Sequence, residues 1–410
     1  MPDAIIFVKR FWTLALLAIS TLVFIVNTAL PSSSKITYGF AAYYTSSRLL
    51  MEHHNGSIFY DDIAFRAEVE RTTNGQASDI YWANPPTTAI MFMPLVFLSP
   101  IEARHLWIGV SFLFLVIAIV LFGGVLYKAP FQAKPFYLVT SAFLFSMPLA
   151  RNFNDGQAYV LLLAFYALAL YALDSCNDWL AVFCLAAVLL LKTSGLPLLA
   201  LLAIRGCWRL VGRVFVGFMV LSIISLPWVD TSTWQIYLLR AVPNFIADPV
   251  ISVTAYQTVP GFIHHLFVYD LIWNPGPLKN WPNFADAASW LIILALVIIA
   301  GVRSKNASLE WTFCVGLLLS VILIPAAEQY HYVLLFPAFL FAFSSPQSPR
   351  VPLLIAATLV ALPLMYTSVS LTQGWWSLFA YPRLYGGILL YILLLITCNE
   401  PKPNPLTSGH

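Results

Sequence analysis

The chain has 410 residues, of which 60% are hydrophobic and 10% are charged, and its formal net charge is +3. Soluble globular domains carry roughly 25% charged residues, so this composition excludes a soluble protein, which would need more polar surface to cover its core. The sequence has no Lys/Arg-rich tract, so no nucleic-acid partner is expected. The composition predicts an all-α polytopic integral membrane protein with residues 1–410 in a single membrane domain.

Apolar runs close to the length that crosses a bilayer, about 20 residues, recur from end to end. The first follows Lys9 and Arg10, and it is too long for the apolar region of a cleavable signal peptide, so we expect an uncleaved helix. Two long polar loops, residues 31–85 and 230–285, interrupt the series. We expect about eleven or twelve hydrophobic segments in all.

Basic residues concentrate in cytoplasmic loops, and their distribution gives one consistent orientation. Cytoplasmic N- and C-termini would place the basic positions flanking the apolar runs inside. The same orientation puts the two long loops outside, together with residues 151–157, 327–331 and 367–383. We therefore expect a multi-pass protein of the plasma (inner) membrane whose polar groups collect on the extracytoplasmic face.

Two apolar stretches are broken. The proline-rich run 86–99 is expected to enter and return on the outer side, and Lys192-Thr193-Ser194-Gly195 separates two short apolar halves. Such breaks are tolerated at membrane depth where the backbone is buried in protein or lines a wet cavity. Lys192 should extend toward the membrane interface, pair with a carboxylate, or contact an anionic phosphate held at the membrane.

The polar loops contain further candidates. Residues near Tyr43 have the spacing of an amphipathic helix, so the first loop is expected to carry surface helices. Asp155, just after Arg151, is either a functional carboxylate or an N-cap for a helix that opens at Gly156. No HExxH, CxxC or glycine-rich nucleotide motif is present, so neither a metal nor a cofactor is expected.

Several motifs occur in a familiar order. They are "YYTSSRLLMEHHNGSIFYD", "WANPPTTAIMFMPLVFLSPIEARHLW", "NDGQAYVLLLAFYALAL", "LLLKTSGLPLL", "AYQTVPGFIHHLF" and "IPAAEQYHYVLLFPAFL". In this order the chain resembles glycosyltransferase family 87, whose members are polytopic enzymes of the GT-C class and include polyprenyl-phosphate-mannose-dependent mannosyltransferases. The resemblance implies a GT-C-like fold, a polyprenyl-phosphate sugar donor and a lipid or glycan acceptor, in contact with membrane lipids.

The resemblance also implies roles for individual residues. Lys192 and His331 would contact the donor phosphate, with help from Arg151. Gln157 and Gln257 would lie near the sugar or the acceptor, as would Tyr43 and Tyr44, the "YY" pair of the first loop.

One position departs from the family pattern. The family usually carries an aspartate four residues before the first tyrosine of the "YY" pair, and this chain has Gly39 there. An inverting transfer needs a base for the acceptor hydroxyl. The base could be Asp61 or its neighbour Asp62, Asp155 or Glu328.

The leading hypothesis is a membrane glycosyltransferase that moves a hexosyl group, such as mannosyl, to an extracytoplasmic acceptor by an inverting mechanism. A transporter or flippase for a lipid-linked substrate is the alternative, since broken hydrophobic segments are also a transporter feature. A third hypothesis, for which Gly39 is the main support, is an inactive family member that binds polyprenyl lipids.

Overall fold

The computed structural model describes residues 2–52, 56–82, 84–128, 130, 133–363 and 371–397. Within these ranges every regular element is helical, and β-type pairing is limited to an isolated β-bridge between Asp270 and Asn274. The all-α prediction is therefore confirmed. The last residues of the chain and part of the predicted outer segment 367–383 lie outside the described residues.

The α-helices fall into two series, before and after the second long loop begins. The first series is α1 Pro2–Phe24, α2 Leu30–Ser33, α3 Tyr38–Met51, α4 Asp62–Thr72, α5 Thr88–Phe92, α6 Pro100–Tyr127, α7 Lys134–Leu144, α8 Met147–Asp155, α9 Tyr159–Asp174, α10 Asp178–Leu191, α11 Leu196–Ile204 and α12 Trp208–Ile224. The second series is α13 Thr231–Ile236, α14 Val242–Ala247, α15 Val259–Phe267, α16 Pro282–Ser304, α17 Leu309–Ile322, α18 Phe336–Ser344, α19 Arg350–Ala361 and α20 Pro382–Ile396.

Short helical turns of other types link these helices. Among the described residues, two are π-helical, Ile25–Ala29 and Tyr237–Ala241. The 3₁₀ turns in the same part of the chain include Gly56–Tyr60, Met93–Phe97, Thr193–Gly195, Pro249–Ser252, Gln329–Leu335 and Gly374–Ala380.

Three continuous helical stretches of the described chain are long and apolar enough to cross a membrane: Trp12–Ser33, Pro100–Tyr127 and Pro282–Ser304. Two bent pairs meet the same test, with α8 and α9 at 116° and the turn Gly374–Ala380 and α20 at 56°. Several shorter apolar helices pack beside them. The number of long spans is smaller than the number of hydrophobic segments because many of those segments are broken.

Both predicted breaks are present. The run 86–99 forms α5 and a 3₁₀ turn that contains Pro94. Helix α10 ends at Leu191, and Lys192 is extended with a φ of −156° before the chain resumes in α11. The chain therefore has irregular backbone where Lys192 interrupts the apolar run.

The helices differ in how they are buried. Twelve of the 16 residues of α9 and twelve of the 14 residues of α17 are buried, so these two helices form the centre of the core. By contrast, only three of the 17 residues of α12 are buried, although the helix is apolar. An apolar helix with an exposed surface is typical of lipid contact.

Helix α3 of the first loop is more enclosed than an amphipathic surface helix. Eleven of its 14 residues are buried, whereas α4 has three buried residues of 11 and is the exposed helix of this loop. The 3₁₀ turn Met93–Phe97, together with α5, packs against α3. The first loop therefore supplies a wall of the protein interior and presents α4 as its surface helix.

Candidate active site

A cavity of about 270 Å³ lies where the first loop meets the central helices. Its walls come from α3, the segment that precedes α5, the start of α9, the break after α10, the second long loop around α14, and the segment 324–331. The polar and charged residues among its lining include Tyr43, Asp79, Asn84, Gln157, Lys192, Glu328 and His331. Five of these seven residues were predicted from the sequence.

Lys192 is held at the cavity wall by polar and aromatic groups. Its Nζ donates a hydrogen bond to Oδ1 of Asn84 and lies 5.7 Å from the ring centroids of both Tyr43 and Tyr159. Asn84 is oriented in turn because its Nδ2 donates to the carbonyl of Tyr81 at 2.5 Å. A cation in contact with aromatic faces is stabilised electrostatically, so Lys192 can remain at a site that is otherwise apolar.

The bend between α8 and α9 positions Gln157. Gly156 has a φ of +70°, and the N–H of Gln157 donates to the carbonyl of Asn152, which is the pattern of a left-handed helix C-cap. Arg104 is fully buried in α6 and donates to the carbonyls of Phe153 and Asn154 at 2.8 and 2.9 Å. An added Cβ on Gly156 would overlap that guanidinium, so the glycine and the arginine fit as a pair.

The Gln157 side chain is fixed against α3. Its Oε1 accepts a hydrogen bond of 2.9 Å from the hydroxyl of Tyr43, and both side chains are buried. Gly39 lies one turn before Tyr43. A Cβ added to Gly39 would lie 2.6 Å from the carbonyl oxygen of Asp155 and closer still to Nε2 of Gln157. The position of the family aspartate is therefore filled by Gln157 and the backbone.

The segment from Asp79 to Asn84 forms another part of the wall. Oδ1 of Asp79 accepts from the backbone N–H of Ile80 at 2.8 Å. Tyr81 is fully buried and its hydroxyl donates to the carbonyl of Pro85 at 3.0 Å. Trp82 has a φ of +45°, a strained conformation for a bulky residue. Such strain persists only where the surroundings hold it, so the buried tyrosine fixes the segment.

Glu328 and His331 reach the cavity from the segment that follows α17. The N–H of His331 donates to the carbonyl of Glu328 at 3.1 Å, and the carboxylate of Glu328 accepts from the hydroxyl of Tyr330 at 3.2 Å. The His331 ring is 7% exposed and packs 4.2 Å from the ring of Tyr159. The imidazole is thus held beside the aromatic residues that surround Lys192.

The two cavity carboxyls are electrostatically unusual. Burial raises the pKa of Asp79 to about 7, and the charge of Glu328 contributes in the same direction. Burial also raises the pKa of Glu328 to about 7, with the charge of Asp155 adding to the effect. A carboxyl group with a pKa near neutrality can exchange a proton at physiological pH.

Asp155 and Arg151 lie behind the cavity wall. Asp155 is the last residue of α8, so the N-cap interpretation was wrong, because α9 begins only at Tyr159. The Asp155 carboxylate is 3.8 Å from Nη1 of Arg151 and hydrogen-bonds with Tyr38. Tyr38 lines the cavity, whereas Asp155 is not among the lining residues.

The remaining predicted residues lie elsewhere. Tyr44 donates to the carbonyl of Leu98 at 2.7 Å. Gln257 is fully buried, and its side chain bonds to the backbone of Thr254, Ala380 and Arg383. Asp61 caps α4 by accepting from the N–H groups of Ile63 and Ala64. These contacts stabilise the protein around the cavity.

Sequence reasoning did not select Asp79, Asn84 or Tyr159. Asp79 and Asn84 are polar residues of the long first loop, close before the proline-rich run, but no spacing rule connects them to Lys192, which is more than 100 residues further along. The signal that could have found them is their place next to the "NPP" motif. Tyr159 is two residues after Gln157, and its aromatic character does not distinguish it from core residues.

The sequence model of glycosyltransferase family 87 matches residues 82–325, which is more than half of the chain. The matched range contains Asn84, Gln157 and Lys192, while Asp79 and His331 lie outside it. No curated protein matches the chain.

Proposed function

The chain belongs to glycosyltransferase family 87, a family of membrane glycosyltransferases, and from that membership we propose that it transfers a hexosyl group, such as mannosyl, from a polyprenyl phosphate. The acceptor would be a lipid or a glycan at the extracytoplasmic face of the plasma (inner) membrane, with both termini cytoplasmic. The observation that carries this proposal is the cavity that brings Lys192 together with two carboxyls, two amides and an imidazole.

Lys192 would neutralise the donor phosphate. During transfer the bond between the sugar carbon and the phosphate oxygen breaks, and the leaving phosphate gains negative charge. A cation fixed in a partly buried site stabilises that charge more than it would in water. His331 lines the same cavity and would assist Lys192 in binding the phosphate. Arg151 does not line the cavity and would act through its ion pair with Asp155.

The rest of the cavity suits a sugar. Gln157 offers an amide next to the Tyr43 hydroxyl, and tyrosines present apolar faces with polar tips, as pyranose rings require. The aromatic residues of the lining are Tyr38, Tyr43, Trp82, Tyr159, Tyr237, Phe245, Tyr256 and Tyr330. An inverting single displacement would then need a base in the same space, and Glu328 is a predicted candidate that lines it.

The test is transfer by purified protein in liposomes. Radiolabelled polyprenyl-phosphate mannose and a lipid extract from the source cells are supplied, and label is followed into new products. We expect Lys192→Ala and His331→Ala to reduce the transfer rate at least tenfold. Lys305 and His105 are exposed, so Lys305→Ala and His105→Ala are matched controls that should transfer at the wild-type rate. Binding of the donor without transfer, across sugars and acceptors, would instead favour the inactive lipid-binding hypothesis, and transbilayer movement of intact donor would favour the flippase.

A further inference from the structure

A second cavity, of about 360 Å³, adjoins the turn Gln329–Leu335. Its volume falls in the range of small-molecule sites, about 300–1,000 Å³. Tyr332 of this turn lines the second cavity, whereas Tyr330 and His331 line the candidate active site. No described residue lines both cavities, so the second one is a separate space next to the candidate active site.

Helices α7, α18 and α19 form the walls of this second cavity along its length. Residues three or four apart on a helix lie on the same side, and the lining residues of each helix follow this spacing. The outer two helices contribute Lys134, Leu138 and Ala142 of α7 and Arg350, Leu354 and Ala357 of α19. Most of the lining is apolar, and Leu138 and Leu354 are also exposed. The cavity is therefore a groove that opens onto an apolar outer surface, as lipid contact requires.

The two basic residues of the groove lie at the same end. Phe143, near the end of α7, stacks on Phe336 at the start of α18 with 4.3 Å between the ring centroids. Because α7 and α18 pack side by side, they run in opposite directions, and the start of α7 lies beside the end of α18. Arg350 is at that end too, since its guanidinium donates to the carbonyl of Phe343 at 3.0 Å. Lys134 and Arg350 therefore mark one end of the groove, and the start of α18 is at the other.

The charged end of the groove suits an anion. Lys134 and Arg350 are both exposed, and neither forms an ion pair with a described residue. The described residues that line the groove include no carboxylate. Arg350 donates to the carbonyls of Phe343 and Ser345, which orient its guanidinium without neutralising it. Basic pockets between helices on the cytoplasmic side bind anionic lipid headgroups, and the sequence predicts that side for both residues.

We propose that this groove binds an anionic phospholipid of the cytoplasmic leaflet, at a site separate from that of sugar transfer. The phosphate contacts Lys134 and Arg350, and one acyl chain fills the space between α7, α18 and α19 as far as Tyr332. Burial of the chain among apolar side chains and pairing of the phosphate with two cations both favour binding. The inference is independent of the proposed function, because it concerns a different cavity.

The donor of the proposed function fits this groove less well. Its phosphate belongs beside Lys192, which lines the other cavity. A polyprenyl chain that entered the groove from the end near Tyr332 would bring hydrocarbon, and no anion, to Lys134 and Arg350. A charged group that faces hydrocarbon is costly. A phospholipid instead places its phosphate at the basic end and its chain along the apolar walls.

The experiment measures lipid binding to the full chain in detergent by native mass spectrometry, with phosphatidylglycerol and phosphatidylcholine of identical acyl chains as probes. We expect phosphatidylglycerol to bind about tenfold more tightly or better, because a basic residue at a membrane surface contributes about fivefold in affinity for an anionic lipid. Lys134→Gln should weaken phosphatidylglycerol binding about fivefold, and its combination with Arg350→Gln about 25-fold. Lys305→Gln and Arg209→Gln, at exposed basic positions outside the groove, are matched controls and should bind like wild type.

Ala142→Trp tests the apolar part of the groove. Ala142 is exposed and lines the groove, so the indole would occupy the space of the acyl chain while both cations remain. We expect this variant to bind phosphatidylglycerol about tenfold more weakly, since each methylene removed from an apolar site weakens binding. Ala287→Trp, at an exposed position of α16 outside the groove, is the matched control and should bind like wild type.

Equal binding of the two phospholipids by the wild-type protein would overturn the inference. Unchanged phosphatidylglycerol binding in Lys134→Gln would also overturn it, and this variant should fold because Lys134 is exposed. Unchanged binding in Ala142→Trp would mean that the acyl chain lies elsewhere, which contradicts the proposed site. Displacement of phosphatidylglycerol by labelled polyprenyl phosphate would assign the groove to the donor and overturn the inference as well.

Discussion

Gly39→Ala tests whether Gly39 is required by packing. The new Cβ would lie 2.6 Å from the carbonyl oxygen of Asp155, which is main chain and cannot rotate away, and even closer to Nε2 of Gln157. The amide would have to move, breaking the 2.9 Å hydrogen bond from Tyr43. Leaving a buried polar group unpaired costs about 1–3 kcal/mol, and overpacking costs about 1–3 kcal/mol more.

Helix propensity offsets part of this loss, since alanine is favoured over glycine in a helix by about 0.5–1 kcal/mol. We therefore expect Gly39→Ala to lower the free energy of unfolding by about 3 kcal/mol. Gly109→Ala in α6 is the matched control, because an added Cβ there meets nothing within 4 Å, and it should be neutral or stabilising. The assay is thermal unfolding in detergent, with transfer activity measured alongside.

Gly39→Asp should be destabilised similarly and should not gain activity, because the space for its carboxylate is occupied. A Gly39→Ala variant as stable as Gly109→Ala would refute the packing argument. An active and stable Gly39→Asp would show that the family aspartate can still be accommodated.

Three further variants test the surrounding structure. Burial raises the pKa of Glu328 from 4.5 to about 7, so the folded protein loses stability as the pH rises through this window. Glu328→Gln should therefore raise Tm relative to wild type at about pH 8 but not at about pH 5. Arg104→Lys keeps the charge but loses the forked hydrogen bonds, including the one to Phe153, and thermal unfolding should show a loss of about 2 kcal/mol or more. Tyr43→Phe leaves Oε1 of Gln157 unpaired, so we expect a loss of about 1–3 kcal/mol in the same assay and a reduced transfer rate.

The sequence predicted those features that follow from local physical rules. A lysine inside an apolar run is costly, so Lys192 was expected at a break, and the break is present. The "NDGQ" stretch was expected at a helix entrance, and the chain does turn there, although Asp155 ends one helix and does not cap the next. Local sequence patterns thus predicted where the backbone is irregular, but not which hydrogen bonds form there.

The positions of Asp79 and Gln257 depend on tertiary structure, and sequence could not supply them. Asp79 reaches the cavity because Tyr81 is buried and holds the loop, and nothing near Asp79 in the sequence records that packing. Gln257 resembles a binding residue in its motif, yet its amide is bonded to the backbone of the neighbouring Thr254 and of Ala380 and Arg383, which are more than 100 residues away.

The central claim is that the cavity around Lys192 is where the sugar is transferred. A single-turnover assay with labelled polyprenyl-phosphate sugar tests it most directly, comparing Lys192→Ala with Asp61→Asn, a predicted residue that lies outside the cavity. The account predicts that Lys192→Ala loses transfer while Asp61→Asn, folded to the same extent, keeps a rate close to wild type. Transfer that survives in Lys192→Ala and disappears in Asp61→Asn would contradict it.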